Sequence, residues 1–307
     1  MARPVSRRSI LGAAPAVGAA WIAGVARADA GLLSREAIRL WPQGGIPGQG
    51  PVVRTEIVQR GAPDRPDRIV VHLAEPSLEV FRPRRPNGNA VLVLPGGGYA
   101  RLAIDKEGTG AASWLTALGH TVFALNYRLP GDGWTAGFDA PLQDAQRAMR
   151  MIRADATTWA IDPERVGVMG FSAGGHLAGA LMTRHDARLY EPVDGRDQTS
   201  ARPAWSVLAY PMTSVARWAP TGSDAAVDLD RAVRPGIGPV FLVHAADDAV
   251  VPVDRSLTLF QALRTADVPT EMHIYPTGGH GFAFMSTTAD GGPDWTPTLR
   301  AWLADRT

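Results

Sequence analysis

From Ala90 onward the sequence alternates between short apolar runs of strand length and longer segments with helical spacing, and this alternation restricts the fold more than any single motif does. Ala90–Leu94, Thr121–Leu125, Val166–Met169, Ser206–Tyr210, Val240–His244 and Glu271–Tyr275 read as strands. Lys106–Leu118, Leu142–Ala156, Gly174–Thr183, Arg255–Ala266 and Thr298–Leu303 read as helices; in the second, Leu142, Ala145, Met149 and Ile152 recur at one-face spacing. Strands connected through helices imply a mostly parallel sheet with helices on both faces. In such a sheet the chemistry sits at the carboxyl ends of the strands. Upstream, Val52–Gln59, Arg68–Leu73 and Leu78–Phe81 are β-like runs separated by Pro and Gly, which predicts an antiparallel N-terminal lead-in. His185–Pro203 is polar and predicts an exposed loop near the site. No linker or repeat interrupts the pattern, so residues 31–307 read as a single α/β domain.

Residues 1–30 read as an address rather than as fold. Ser6-Arg7-Arg8-Ser9-Ile10-Leu11 precedes a mild apolar stretch, Gly12–Ala26, that ends in Ala28-Asp29-Ala30. This is the layout of an export signal of the twin-arginine type, and it predicts a periplasmic or secreted protein. The stretch contains Pro15 and is too short to span a bilayer comfortably, so no stable membrane insertion is expected after cleavage. Removing the segment takes away Arg3, Arg7, Arg8, Arg27 and Asp29, which moves the formal charge from +1 to −2. A balance so near zero gives no reason to expect a nucleic-acid partner.

Composition then removes whole classes of chemistry. The chain has no Cys, which excludes thiol nucleophiles, disulfides and thiolate metal sites, and its only lysine is Lys106. Gly170-Phe171-Ser172-Ala173-Gly174 fits G-x-S-x-G between an apolar strand and a helix. That setting predicts a tight turn that lifts the Ser172 hydroxyl out of the sheet as a nucleophile. A serine needs a base. Of seven histidines, His280 lies in a Gly-rich loop after the last strand, Thr277-Gly278-Gly279-His280-Gly281-Phe282, and is the one placed to reach back over the sheet. The base needs an acid, and Asp247 and Asp248 both follow the preceding strand. Leu94-Pro95-Gly96-Gly97-Gly98-Tyr99 follows the first parallel strand and suits an oxyanion loop, with Gly97 or Gly98 donating an N–H alongside Ala173.

These pieces together resemble the α/β-hydrolase fold, and more narrowly its acetylxylan-esterase-like branch, whose members are sometimes labelled xylanase. The resemblance also takes in Leu40-Trp41-Pro42, Glu107-Gly108, Trp114-Leu115, Asn126–Leu129, Pro141–Ala148, Gly174-Gly175-His176-Leu177 and Asp247–Pro252. It implies a serine esterase acting on acetylated carbohydrate, without metal or cofactor. It favours Asp248 as the acid, four residues after His244 and four before Pro252, with Asp247 as the alternative. An exopeptidase-like serine hydrolase and a non-catalytic carbohydrate-binding protein are the competing readings. Tyr99, Trp134 and Trp218 are candidate substrate contacts, with core or rim packing as the plainer role for the tryptophans. Asp105, Glu107, Asp144, Arg147 and Arg153 read as salt-bridging residues on helix surfaces. Nothing in the chain sets an oligomeric state.

Overall fold

The computed structural model describes residues 32–48, 50, 52–64, 66–215, 228–284 and 292–306. The proposed export signal, with Arg7 and Arg8, lies outside them, as does Trp218. In chain order the elements are β1 (Leu32–Arg39), β2 (Glu56–Gln59), β3 (Arg68–His72), β4 (Ser77–Pro83), β5 (Ala90–Leu94), α1 (Gly110–Ala117), β6 (Thr121–Asn126), α2 (Asp139–Ala154), α3 (Ala156–Trp159), β7 (Val166–Phe171), α4 (Ala173–Arg184), β8 (Ser206–Ala209), α5 (Leu229–Ala232), β9 (Val240–Ala245), α6 (Asp254–Thr265), β10 (Thr270–Tyr275) and α7 (Thr296–Ala304). The main sheet has eight strands in the order β1-β4-β6-β5-β7-β8-β9-β10. Every pair from β6 to β10 is parallel, while β4 runs antiparallel to both β1 and β6.

Alternation within each strand explains the two-faced core. In β5, Leu92 and Leu94 join a cluster with Leu142 and Met149 of α2, Leu177 and Leu181 of α4, and Leu259 and Leu263 of α6. Val91 and Val93 join another, with Ala111 and Leu115 of α1 and Leu299 and Trp302 of α7. All five residues of β5 are buried, as a parallel strand covered on both faces requires. The chain leaves β5 for β6 on one side and later places β7 on the other. The crevice of this switch point therefore opens at the carboxyl ends of β5 and β7, which carry Pro95–Tyr99 and Ser172.

The lead-in is antiparallel as expected, but it is divided between two sheets and gains one strand. Arg68–His72 pairs with Glu56–Gln59 in a separate two-stranded sheet, and β4 joins the main sheet beside β6. The edge position belongs to Leu32–Arg39, which the sequence did not mark as a strand. Its Ser-Arg-Glu-Ala run has weak β preference, so pairing with β4 decides its conformation. Lys106–Leu118 is not one α-helix: Ile104–Thr109 forms a π-helical turn before α1. The His185–Pro203 connection carries a short 3₁₀ turn at Gly195–Gln198.

Several charged residues expected on helix surfaces are interior. Asp144 is fully buried; it accepts from the Arg128 backbone and guanidinium at 2.8–3.0 Å and from Trp41 Nε1 at 2.7 Å. Arg128 also donates to Pro47 O and Gln143 Oε1, each at 2.8 Å. Arg147 is buried too, bonded to Asp194 and paired with Asp197. The Arg147 hydrogen bond holds the Asp194 carboxyl down at about 2. Arg153 and Asp105 are themselves largely covered, but each pairs with a more exposed partner, Glu164 and Arg68, and so comes nearest to the expected surface bridges. Asp144→Ala leaves the Arg128 cation without its counter-charge, and removing one partner of a buried pair costs about 3–5 kcal/mol. A urea titration should show that loss, whereas a drop under about 1 kcal/mol would mean the pair is dispensable.

Candidate active site

Local sterics shape the turn at Ser172. Its backbone sits at φ +51°, ψ −116°, a costly conformation for a residue with a Cβ. A Cβ on Gly170 would lie 2.1 Å from Gly174 O, and one on Gly174 would lie 2.1 Å from Leu94 O. Only glycine fits at either position. The turn is tied down on both sides: Ser172 N donates to Ala209 O, and Met212 N donates to Ser172 O, each at 3.0 Å. Ala173 then opens α4, where the leading N–H groups have no helical carbonyl to bond.

The structure brings Ser172, His280 and Asp248 together. His280 Nε2 lies 2.8 Å from Ser172 Oγ, and Nδ1 lies 2.7 Å from Asp248 Oδ2. An ionised carboxylate only accepts, so Nδ1 carries the proton and Nε2 faces the serine hydroxyl as an acceptor. Asp248 Oδ1 receives the Val250 and Val251 N–H groups, both at 2.8 Å. Burial works against its charge. The Val251 N–H and the His280 hydrogen bond nonetheless hold its carboxyl below the ordinary aspartate value. Asp247 does something else: its Oδ1 accepts Gly279 N at 2.8 Å and so anchors the histidine loop.

A second histidine, marked in the sequence only by its spacing to the acid, braces Asp248. His244 is fully buried, and its Nε2 lies 3.1 Å from Asp248 Oδ2 and 2.9 Å from Val251 O. Both neighbours accept, so Nε2 is protonated, and Nδ1 accepts from Ser256 Oγ at 2.8 Å. Burial lowers the pKa of His244, which keeps it a neutral donor. Its position four residues before Asp248, at the end of β9, is the one pointer to this role.

The glycine loop packs directly on the nucleophile. A Cβ on Gly96 would come within 3.0 Å of Ser172 Cβ. Gly97 and Gly98 take φ +132° and +67°, and Tyr127 donates to Pro95 O at 2.6 Å. Gly96 N donates to Glu107 Oε2, which leaves the Gly97 and Gly98 N–H groups as the loop's candidates for an oxyanion.

The described aromatic candidates are packed side chains. Tyr99 is buried; its hydroxyl lies 2.8 Å from His176 Nδ1 and its ring packs against Tyr127 and Phe138. Trp134 is buried under the Arg128 guanidinium, 5.1 Å from the ring centroid, which is the plainer packing role given to it from the sequence. Glu107 is not a surface residue either, being 5% exposed beneath the glycine loop. Among the described residues no group of His, Asp or Glu could hold a metal, and no helix is long and apolar enough to cross a membrane.

Comparison with known proteins places this geometry among relatives. Residues 78–227 match the BD-FAE family, and residues 223–306 match the prolyl oligopeptidase family. The chain is 35% identical over 222 residues to an acetylxylan esterase of Xylanibacter ruminicola, covering 66% of this chain and 43% of that one. It is 30% identical over 234 residues to endo-1,4-beta-xylanase B of Butyrivibrio fibrisolvens, covering 70% and 36%. It thus spans less than half the length of either. The crystal structure of an acetyl ester-xyloside bifunctional hydrolase from Caldicellulosiruptor lactoaceticus is similar with a TM-score of 0.64 and 32% identity, covering 88% of this chain and 96% of that one. The carboxylesterase Cest-2923 of Lactobacillus plantarum, at 22% identity and TM-score 0.64 over 83% and 98% of the chains, shares the fold.

Serine labelling by a fluorophosphonate probe separates the two aspartates. Asp248→Asn should slow labelling by about 10³–10⁴, because the imidazole loses its tautomer control. Asp247→Ala removes one loop hydrogen bond and should slow it less than about tenfold. The opposite ranking would make Asp247 the acid.

Proposed function

The chain belongs to the acetylxylan-esterase-like branch of the α/β-hydrolases, and from that premise we propose that it is a serine carboxylesterase removing short acyl groups, acetyl foremost, from acetylated xylan or a related carbohydrate. The observation that carries this reading is the continuous relay Ser172 Oγ–His280–Asp248, with links of 2.8 and 2.7 Å. Ser172 attacks the ester carbonyl as His280 Nε2 takes its proton. Asp248 orients the ring and stabilises the imidazolium. Ala173 N–H and the Gly97 or Gly98 N–H hold the oxyanion. Collapse of the tetrahedral intermediate expels the alcohol, which takes the proton from His280 and leaves an acetyl-enzyme. Water activated by the same histidine then releases acetate.

The acetyl preference is supported by what the Xylanibacter and Caldicellulosiruptor proteins are called. Xylan cleavage is the weaker reading, since glycoside hydrolysis usually employs a pair of carboxylates astride the bond and this site presents a serine relay. An exopeptidase reading draws on the match over residues 223–306, which contains Asp248 and His280. The paired Arg7-Arg8 and the Ala28-Asp29-Ala30 site support export to the periplasm or beyond by the twin-arginine route.

The test is acetate release from acetylated xylan beside turnover of aryl esters of increasing chain length and of an aminoacyl anilide. We expect the acetyl esters to be fastest; a faster anilide would favour the peptidase. Ser172→Ala should lower kcat by roughly 10⁴–10⁶, and unchanged turnover would refute the reading. With Arg7 and Arg8 replaced by Lys, the protein should remain in the cytoplasmic fraction; unchanged export would remove the twin-arginine assignment.

A further inference from the structure

Glu107 is an acid that the relay does not use. It sits in the π-helical turn Ile104–Thr109 with its side chain buried. Its Oε2 accepts Gly96 N–H at 2.6 Å, and its Oε1 accepts the Tyr210 hydroxyl at 3.0 Å. The Tyr210 oxygen in turn accepts Ala283 N–H at 3.1 Å, three residues beyond His280, and Ala283 O accepts from Trp295 Nε1 at 2.6 Å. The Tyr210 ring lies edge-on to His280 with centroids 5.2 Å apart. One carboxylate therefore joins the glycine loop to the histidine loop across the carboxyl ends of the strands.

Two details give this bridge a direction. A Cβ on Gly96 would fall 2.8 Å from Glu107 Oε2, 3.0 Å from Ser172 Cβ and 2.6 Å from Phe171 O. Gly96 is thus wedged between the carboxylate and the nucleophile, and its N–H is committed away from the substrate. A carboxylate accepts at both oxygens, so it suits two converging donors in a way that an amide does not. Burial raises the Glu107 carboxyl above the usual glutamate value, opposed by the Gly96 and Tyr210 donors, then by His280 and Lys106. The groups facing it are Gly96, Tyr210, Lys106, His280 and, through space, Tyr127. Those facing His280 are Ser172, Asp248, Tyr210 and, behind the acid, His244.

We propose that Glu107 is a positioning residue of the reaction: through Gly96 it sets the oxyanion N–H groups against Ser172, and through Tyr210 it ties that loop to His280 and lends negative charge to the imidazolium. This rests on the serine-esterase reading. It adds a function for a residue whose sequence setting suggested only a solvent-facing ion pair.

The experiment compares the full chain with Glu107→Gln and Tyr210→Phe in p-nitrophenyl acetate hydrolysis across pH, with Ser172→Ala as the control. An inactive wild-type protein, or an active Ser172→Ala, defeats the esterase reading itself. Given that the wild type passes, Glu107→Gln should lower kcat about ten- to hundredfold with KM within about threefold, a fraction of what loss of an oxyanion donor costs. Its acid limb in kcat/KM should move to lower pH, because a negative charge that favours the protonated imidazole has gone and the carboxyl no longer titrates. A purely structural role would not move that limb. Tyr210→Phe cuts the bridge but keeps the charge, so it should lower kcat by about three- to tenfold with the limb in place; it decides the matter should Glu107→Gln fail to fold. A folded Glu107→Gln within about twofold of wild type at every pH, or a Tyr210→Phe with wild-type kcat, overturns the proposal.

Discussion

The site depends on one strained backbone conformation, Ser172 at φ +51°. A residue with a Cβ pays for that conformation, and it persists only where its surroundings leave no alternative. Here the surroundings are specific. Gly170 and Gly174 let the turn close, the Leu94 carbonyl ending β5 and the Pro95 carbonyl after it crowd Gly174, and Ser172 exchanges backbone hydrogen bonds with Ala209 and Met212. The nucleophile is consequently held by β5, β7 and the end of β8 at once. The loop that would bind the oxyanion grows from β5, so the position of the hydroxyl and the position of the N–H donors are set by the same packing.

The parts of this arrangement that were legible in the sequence are those with local causes. Alternating strand and helix runs identified the parallel sheet because each run buries its own apolar residues. Ser172 stood out because the strained turn demands glycines on either side. His280 stood out because its flanking glycines adopt positive φ, at +59° for Gly279 and +84° for Gly281. What escaped were partnerships between distant residues. Trp41 and Asp144 bond across 103 positions, as do Glu107 and Tyr210. A charged side chain in a helical run has the same letters whether it faces water or a buried donor, so Asp144, Arg147 and Glu107 read as surface. Tyr99 and Trp134 show the converse: an aromatic letter beside a site motif does not reveal whether packing has already used the ring, and here both are buried. Leu32–Arg39 is a strand through pairing with β4 alone, and its composition could not announce that.

Asp247 and Asp248 illustrate how adjacent identical residues divide their work. Their carboxylates meet different partners because the chain turns sharply after β9. Asp248 collects the Val250 and Val251 N–H groups, His244 and His280; Asp247 collects Gly279 N. One fixes the imidazole, the other fixes the loop that carries it. Without Asp247 the Gly-rich segment that carries the ring over Ser172 loses the Gly279 hydrogen bond.

The same contrast extends to the two buried acids, Asp248 and Glu107. Each loses solvation, and each receives two kinds of donor. Asp248 has two backbone N–H groups on one oxygen and two imidazoles on the other, enough to hold its carboxyl below the ordinary value. Glu107 has one N–H and one hydroxyl, and its carboxyl stays above the ordinary value. Environments that push two titratable groups apart in this manner assign them different duties. The well-solvated-by-protein acid can remain ionised while an imidazolium forms beside it. The poorly compensated one is the more sensitive to its donors: Gly96 lies in the glycine loop, and Tyr210, just after β8, accepts Ala283 N–H from the histidine loop. A buried charge with so little compensation would be a liability in a scaffold; here its demand for both donors ties the glycine loop, through Tyr210, to the histidine loop.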